Sequence, residues 1–192
     1  MILLNLPNKL TLLRILLVPL FVIFLLVNTI PFSYLWALII FILASITDFF
    51  DGYYARKNNM VTDFGKFLDP LADKILVVSA FCCFIQMDII GAVPVIIVLF
   101  REFAVTSVRL VAASNGKVVA ANMWGKTKTV SQIIAIVVTL VLQMVLQFLD
   151  SSGPTDIFTI IINIVIWASV ILTIISGMVY LKDNSELYKN AK

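Results

Sequence analysis

The chain contains no histidine. Imidazole therefore takes no part in catalysis or metal ligation, and any bound metal must be held mainly by oxygen donors, which favour hard cations. Cysteine is almost as scarce: Cys82 and Cys83 are the only two, adjacent and inside an apolar run. Adjacent cysteines rarely bridge each other and no second pair offers a zinc-like spacing, so both read as small packing residues. Charged residues make up only 13% of the 192, against 61% hydrophobic, and mean hydropathy is +1.07. A soluble domain of this length cannot hide that much apolar surface. Uncharged runs of spanning length, Ile15 to Ser45 and Thr129 to Leu149, settle the class. This is an all-α integral membrane protein.

Six spans are expected, roughly Leu10–Val27, Tyr34–Arg56, Phe67–Met87, Ile89–Val111, Thr129–Leu149 and Ile157–Leu181. Asp88, Gly91 and Pro94 mark a tight turn between the third and fourth, and Gly153-Pro154 marks another. Lysine and arginine are missing from alternate loops: 28–33, the turn at Asp88, and 150–156. They gather instead at Lys9 and Arg14, at Arg56, Lys57 and Lys66, at Arg109, Lys117, Lys126 and Lys128, and at Lys182, Lys189 and Lys192. The positive-inside rule then puts both termini in the cytoplasm. One membrane domain over 1–192 is expected, with 1–8 as a short interfacial N-terminal segment. No small-x-small cleavage site follows the first span, so it reads as retained.

Against this apolar background, acidic residues concentrate between 48 and 73. The stretch reads Asp48-x-x-Asp51-Gly52-x-x-Ala55-Arg56, then Gly65, then Asp69 and Asp73. Carboxylates at membrane depth persist when they pair, line a wet cavity or bind cations. In a helix Asp48 and Asp51 share a face at i,i+3, and Asp69 and Asp73 share one at i,i+4. Two antiparallel helices with a short connection can bring the pairs together near the cytoplasmic ends. Four like charges there repel unless divalent cations neutralise them, and a two-metal oxygen site clamps phosphoryl groups. Gly52, Gly65 and the small Ala55 let a ligand or backbone approach closely. Arg56 pairs either with a phosphate or with one of the carboxylates.

This pattern resembles, without a departure at any position, the signature of the CDP-alcohol phosphatidyltransferase family. The resemblance implies an integral-membrane enzyme, usually a homodimer, with a polar site open to the cytoplasmic leaflet of the bacterial cell membrane. It implies transfer of a phosphatidyl or similar group from a CDP-linked donor to an alcohol, with release of CMP. Asp48, Asp51, Asp69 and Asp73 would hold Mg2+ or Mn2+, with two ions expected, and Asp73 would also be the general base. Gly52, Ala55 and Gly65 would line the cytidine pocket, with Asp48 and Asp69 near the nucleotide.

A second group of residues bears on the acceptor. Arg101 and Glu102 fall midway along the fourth span, a costly place without a partner or aqueous cavity. Arg101, Arg109, Lys126 and Lys128 are expected to form a cationic pocket facing the acidic site, suited to an acceptor that carries a phosphate. A plainer reading pairs Arg101 with Glu102 or a third-span acid, and leaves Lys126 and Lys128 as positive-inside markers. The segments Pro7-Asn8-Lys9-Leu10-Thr11-x-x-Arg14, Arg101-Glu102-Phe103 and Gly125-Lys126-Thr127-Lys128-Thr129 resemble the bacterial phosphatidylglycerophosphate synthase branch of the family. That branch implies CDP-diacylglycerol and sn-glycerol 3-phosphate as substrates, in phosphatidylglycerol biosynthesis. Asn8, Thr11 and Arg14 either contact the donor diphosphate or anchor the first helix. Rival readings are the same chemistry on inositol phosphate or serine, a divalent-cation transporter, and an inactive membrane scaffold. Nothing in the sequence calls for nucleic acid; membrane lipids are the surroundings.

Overall fold

In lipid a backbone must satisfy its own hydrogen bonds, so apolar runs between short polar turns fold as helices. The computed structural model describes residues 6–27, 29–57, 63–114, 123–149 and 155–185, with the backbone alone for 6–8, 48–57, 63–71, 73 and 114. It contains α1 (Leu6–Leu26), α2 (Ser33–Lys57), α3 (Asp63–Gln86), α4 (Ala92–Ser114), α5 (Met123–Phe148) and α6 (Thr155–Asp183), and no strand among the described residues. Each expected span corresponds to one helix. The ends differ where helix continues past the apolar run, since backbone hydrogen bonding does not stop at the last greasy residue. Thus α5 starts at Met123 and takes in Lys126 and Lys128, and α3 starts at Asp63. Of the expected interfacial segment, 1–5 lie outside the described residues, and Leu6–Asn8 open α1. Pro7 there occupies the first turn, where its missing N–H breaks no bond.

Among the described residues, three helices are long and apolar enough to cross a membrane: α1 from Lys9 to Leu26, α5 and α6. Among the residues whose side chains are described, Ser33–Thr47 of α2 and Lys74–Gln86 of α3 are apolar as well. Aspartates occupy the end of α2 and the start of α3, and α4 carries Arg101, Glu102 and Arg109.

The chain divides into two compact units. The first holds α1, α2, α3 and the second half of α5. Here α1 packs on both α2 and α3. Its buried residues, Thr11, Arg14, Val18, Phe21 and Leu25, recur every three or four positions and form one helical stripe. Ala37, Ile40, Phe41 and Ala44 face inward from α2, and Ala72, Leu76, Ala80 and Phe84 from α3. The alanines allow close backbone approach, the usual basis of helix packing in membranes. Phe21 meets Phe41 with ring centroids 5.8 Å apart, and Phe24 meets Trp36 at 6.1 Å. As residue numbers rise along α1 they fall along α2, so the two helices run antiparallel. The turn between them passes through Phe32 in a left-handed conformation, with its ring against Phe148 of α5 at 5.3 Å. Asp88 at the α3–α4 turn is left-handed as well, a conformation aspartate tolerates.

The second unit holds α4, the first half of α5, and α6. Its interior mixes apolar and polar side chains, and its exterior is largely apolar. Ser169, Thr173 and Ser176 of α6 are buried, while Ile160, Ile164, Ile171 and Met178 are exposed. Such a surface suits lipid, where buried hydroxyls hydrogen-bond across or along helices. Gln132 of α5 donates to the Thr173 hydroxyl at 3.1 Å, and Thr173 donates to its own helix at Ser169 O. Lys128 contacts Glu102 one turn before Gln132 contacts Thr173, whereas Arg101 meets Ser176 and Arg109 meets Tyr180. That order makes α4 and α6 parallel, with α5 antiparallel to α6.

Candidate functional site

Helix register places the four aspartates. Asp48 and Asp51 lie in the last turns of α2, and Asp69 and Asp73 in the first half of α3. Consecutive helices joined through 58–62 bring the end of one beside the start of the next, so both pairs belong to the same end of the first unit. The antiparallel register that sets Phe21 against Phe41 also sets Arg14 level with Asp48 and Thr11 level with Asp51. Arg14 and Thr11 are fully buried, at 0% exposure each. A guanidinium removed from water needs negative or hydrogen-bonding company, and this one lies on the helix that packs against both aspartate-bearing helices. Three polar sequence features therefore converge on one end of three helices. Gly52, Ala55 and Arg56 lie within one to two turns beyond Asp51 on α2, and Gly65 lies one turn before Asp69 on α3. Asn8 lies one turn before Thr11. The side chains of Asn8, the four aspartates, Ala55 and Arg56 are outside those described, and the remaining described residues contain no group of three metal-ligating side chains. As a donor set, four carboxylates in two helical pairs match the oxygen chemistry that Mg2+ and Mn2+ require.

The second unit divides the four cations proposed for an acceptor phosphate into two kinds. Arg101 and Lys128 are buried, at 8% exposure each, and both contact Glu102. Arg101 Nη1 donates to Glu102 Oε1 at 3.0 Å, its Nη2 donates to Ser176 Oγ at 2.8 Å, and Lys128 Nζ donates to the same Oε1. One carboxylate thus serves two buried cations. Arg109 and Lys126 are exposed. Arg109 reaches α6 instead: its Nε donates to the Tyr180 hydroxyl at 3.4 Å, and its guanidinium carbon sits 5.5 Å from the Tyr180 ring centroid. The hydroxyls of Thr127 and Thr129 donate to the carbonyls of Met123 and Gly125, so they serve their own helix. Lys117 lies outside the described residues.

Sequence reasoning missed the α6 side of this arrangement. Ser176, Gly177 and Tyr180 are buried in a helix that reads as uniformly apolar, and only their small or polar character within it could have marked them. Gly177 has a steric role. A Cβ there would lie 2.9 Å from Cγ of Arg101, close to the root of a side chain whose far end is tied to Glu102 and Ser176. In an ordinary helix Gly→Ala stabilises by about 1 kcal/mol. Gly177→Ala is expected to do the opposite, by about 1–3 kcal/mol, because α6 or Arg101 must shift. A melting temperature in detergent that stays level or rises would show that the contact yields freely.

Comparison with known proteins adds the family. The sequence pattern described as CDP-alcohol phosphatidyltransferase matches residues 4–175. The chain is 46% identical to the CDP-diacylglycerol–glycerol-3-phosphate 3-phosphatidyltransferase of Bacillus subtilis, over 97% of this chain and 98% of that protein. It is 38% identical to the Rickettsia bellii protein of the same name, over 93% and 94% of the two chains. The Haemophilus influenzae protein of that name is 39% identical over 69% of this chain and 75% of its own. The matched region includes α1 to α5 and most of α6, with both the aspartate pairs and the basic cluster. This chain belongs to the CDP-alcohol phosphatidyltransferase family.

Proposed function

We propose that this protein transfers the phosphatidyl group of CDP-diacylglycerol to sn-glycerol 3-phosphate, forming phosphatidylglycerophosphate and CMP, as a step in phospholipid biosynthesis. The observation that carries this reading is the pair of aspartate pairs at adjoining ends of α2 and α3, level with a buried arginine of α1. Near-full-length identity to relatives of that name supports the choice of acceptor. The same reading makes the chain a single membrane domain of six crossings with both termini cytoplasmic. Its site faces the cytoplasmic side of a bacterial membrane, and the enzyme acts as a homodimer among lipids.

The chemistry follows from the residue types. A hydroxyl is a poor nucleophile near neutral pH, so Asp73 takes the proton from the glycerol 3-phosphate hydroxyl as it attacks the donor's β-phosphorus. The new P–O bond forms as the bond to CMP breaks, with no covalent protein intermediate. Divalent magnesium or manganese held by Asp48, Asp51, Asp69 and Asp73 would offset charge on the diphosphate and on departing CMP. Gly52, Ala55 and Gly65 allow close approach of the cytidine, while Asn8, Thr11, Arg14 and Arg56 bind the donor's diphosphate. Arg109 and Lys126 bind the acceptor's phosphate, backed by the Arg101–Glu102–Lys128 cluster.

Purified protein given both substrates and metal should release CMP and form phosphatidylglycerophosphate, and a panel of alcohols should release far less. Failure of a folded preparation to do so removes the reading. Release with serine or inositol phosphate at equal rate would replace the acceptor. Arg109→Ala should raise KM for glycerol 3-phosphate roughly ten- to a hundredfold, the scale of a charge-assisted hydrogen bond, with KM for CDP-diacylglycerol little changed. An equal loss for both substrates would remove Arg109 from the acceptor's contacts.

A further inference from the structure

We infer that Tyr180 of α6 is a positioning residue that holds Arg109 of α4 ready for the acceptor's phosphate. This rests on the reading of Arg109 as an acceptor ligand and extends it to a helix that carries none of the signature aspartates.

Tyr180 is 2% exposed, close to the cytoplasmic end proposed for α6. A tyrosine buried so fully must place its hydroxyl against a partner, and the partner here is the Nε of Arg109, 71 residues earlier in the chain. The same guanidinium lies within cation–π range of the ring, at 5.5 Å from its centroid. Two contacts on one guanidinium restrict a side chain that otherwise has many rotamers. They also leave its other edge available: among the described residues, neither Nη group of Arg109 has a hydrogen-bond acceptor. Those two nitrogens are the fork that grips a phosphate in bidentate fashion. Fixing them before the ligand arrives removes part of the ordering cost of binding.

The support is itself fixed. Asn184 donates from its backbone N–H and from its Nδ2, at 3.2 and 2.8 Å, to the Tyr180 carbonyl, which closes the last turn of α6. One turn back, Ser176 and Gly177 are locked against Arg101. Tyr180 is thus set on a helix tied to α4 at two levels. Packing alone would be met by phenylalanine, so the hydroxyl is what the proposal concerns.

The test uses the full-length purified enzyme with CDP-diacylglycerol in mixed micelles and glycerol 3-phosphate varied. Tyr180→Phe keeps the ring and the core, and should raise KM for glycerol 3-phosphate roughly fivefold while kcat and KM for CDP-diacylglycerol change less than twofold. Tyr180→Leu, which removes the ring as well, should raise it further. In an Arg109→Ala background Tyr180→Phe should add nothing, since the residue it positions is gone. If Arg109→Ala raises the acceptor's KM but Tyr180→Phe does not, or if their effects simply multiply, the positioning role is overturned while the acceptor reading stands. If Arg109→Ala itself leaves that KM unchanged, the reading of Arg109 fails and the role of Tyr180 falls with it. A fall in kcat and melting temperature with KM unaltered would make Tyr180 structural only.

Discussion

Asp73→Asn should abolish turnover, with CMP release reduced by at least about a thousandfold, while the protein still purifies and melts near the wild-type temperature. The size follows from two losses in one atom change. Removing a positioned base costs about 10²–10⁴ in rate, and the amide also weakens the carboxylate set proposed to hold divalent cations. The fold should survive because Asn is nearly isosteric, and because removing one of four carboxylates proposed to share a site relieves repulsion when no cation is bound. Retained activity would remove Asp73 as base. A collapsed melting temperature would instead assign it a structural part. Asp48→Asn serves as the comparison: without the base function, its loss should show mainly as a raised metal requirement, read by titrating Mg2+ at fixed substrate.

The second large effect is one of stability. Glu102→Ala would leave Arg101 and Lys128 buried with their shared carboxylate gone. Breaking a buried ionic group from one side costs about 3–5 kcal/mol, far more than the intact group contributes, because the desolvated charges lose the carboxylate they share. A steep drop in melting temperature in detergent is therefore expected, along with poor membrane yield. Replacing all three together, Arg101→Met, Glu102→Leu and Lys128→Met, should restore most of the stability, since a well-packed apolar trio of similar volume carries no desolvation penalty. If the triple variant is stable yet needs much more glycerol 3-phosphate, the cluster's charge serves binding. If it is stable and kinetically normal, the cluster is only structural. A Glu102→Ala protein as stable as wild type would mean that water or lipid reaches the two cations.

Much of this molecule is local and so could be read along the chain. A run such as Thr129–Leu149 has few alternatives to a helix in lipid, because every backbone group must find its partner nearby. The spacing of Asp48, Asp51, Asp69 and Asp73 fixes their faces once helix is assumed, since helical periodicity converts sequence distance into angle. Even the stripe from Thr11 and Arg14 to Leu25 is a matter of period. What local rules mistook was extent, because α3 and α5 run on past their apolar segments into charged residues.

Composition and spacing, then, were enough to establish helices, a membrane surround, and an oxygen-rich acidic pattern with the family that goes with it. They could not say which of four basic residues were consumed by the protein and which were left exposed. That was decided by partners distant in sequence, Ser176 and Gly177 for Arg101 and Tyr180 for Arg109. The reason is physical: the charge of a side chain is written in its identity, but its desolvation and pairing depend on what the folded chain places within a few ångströms of it.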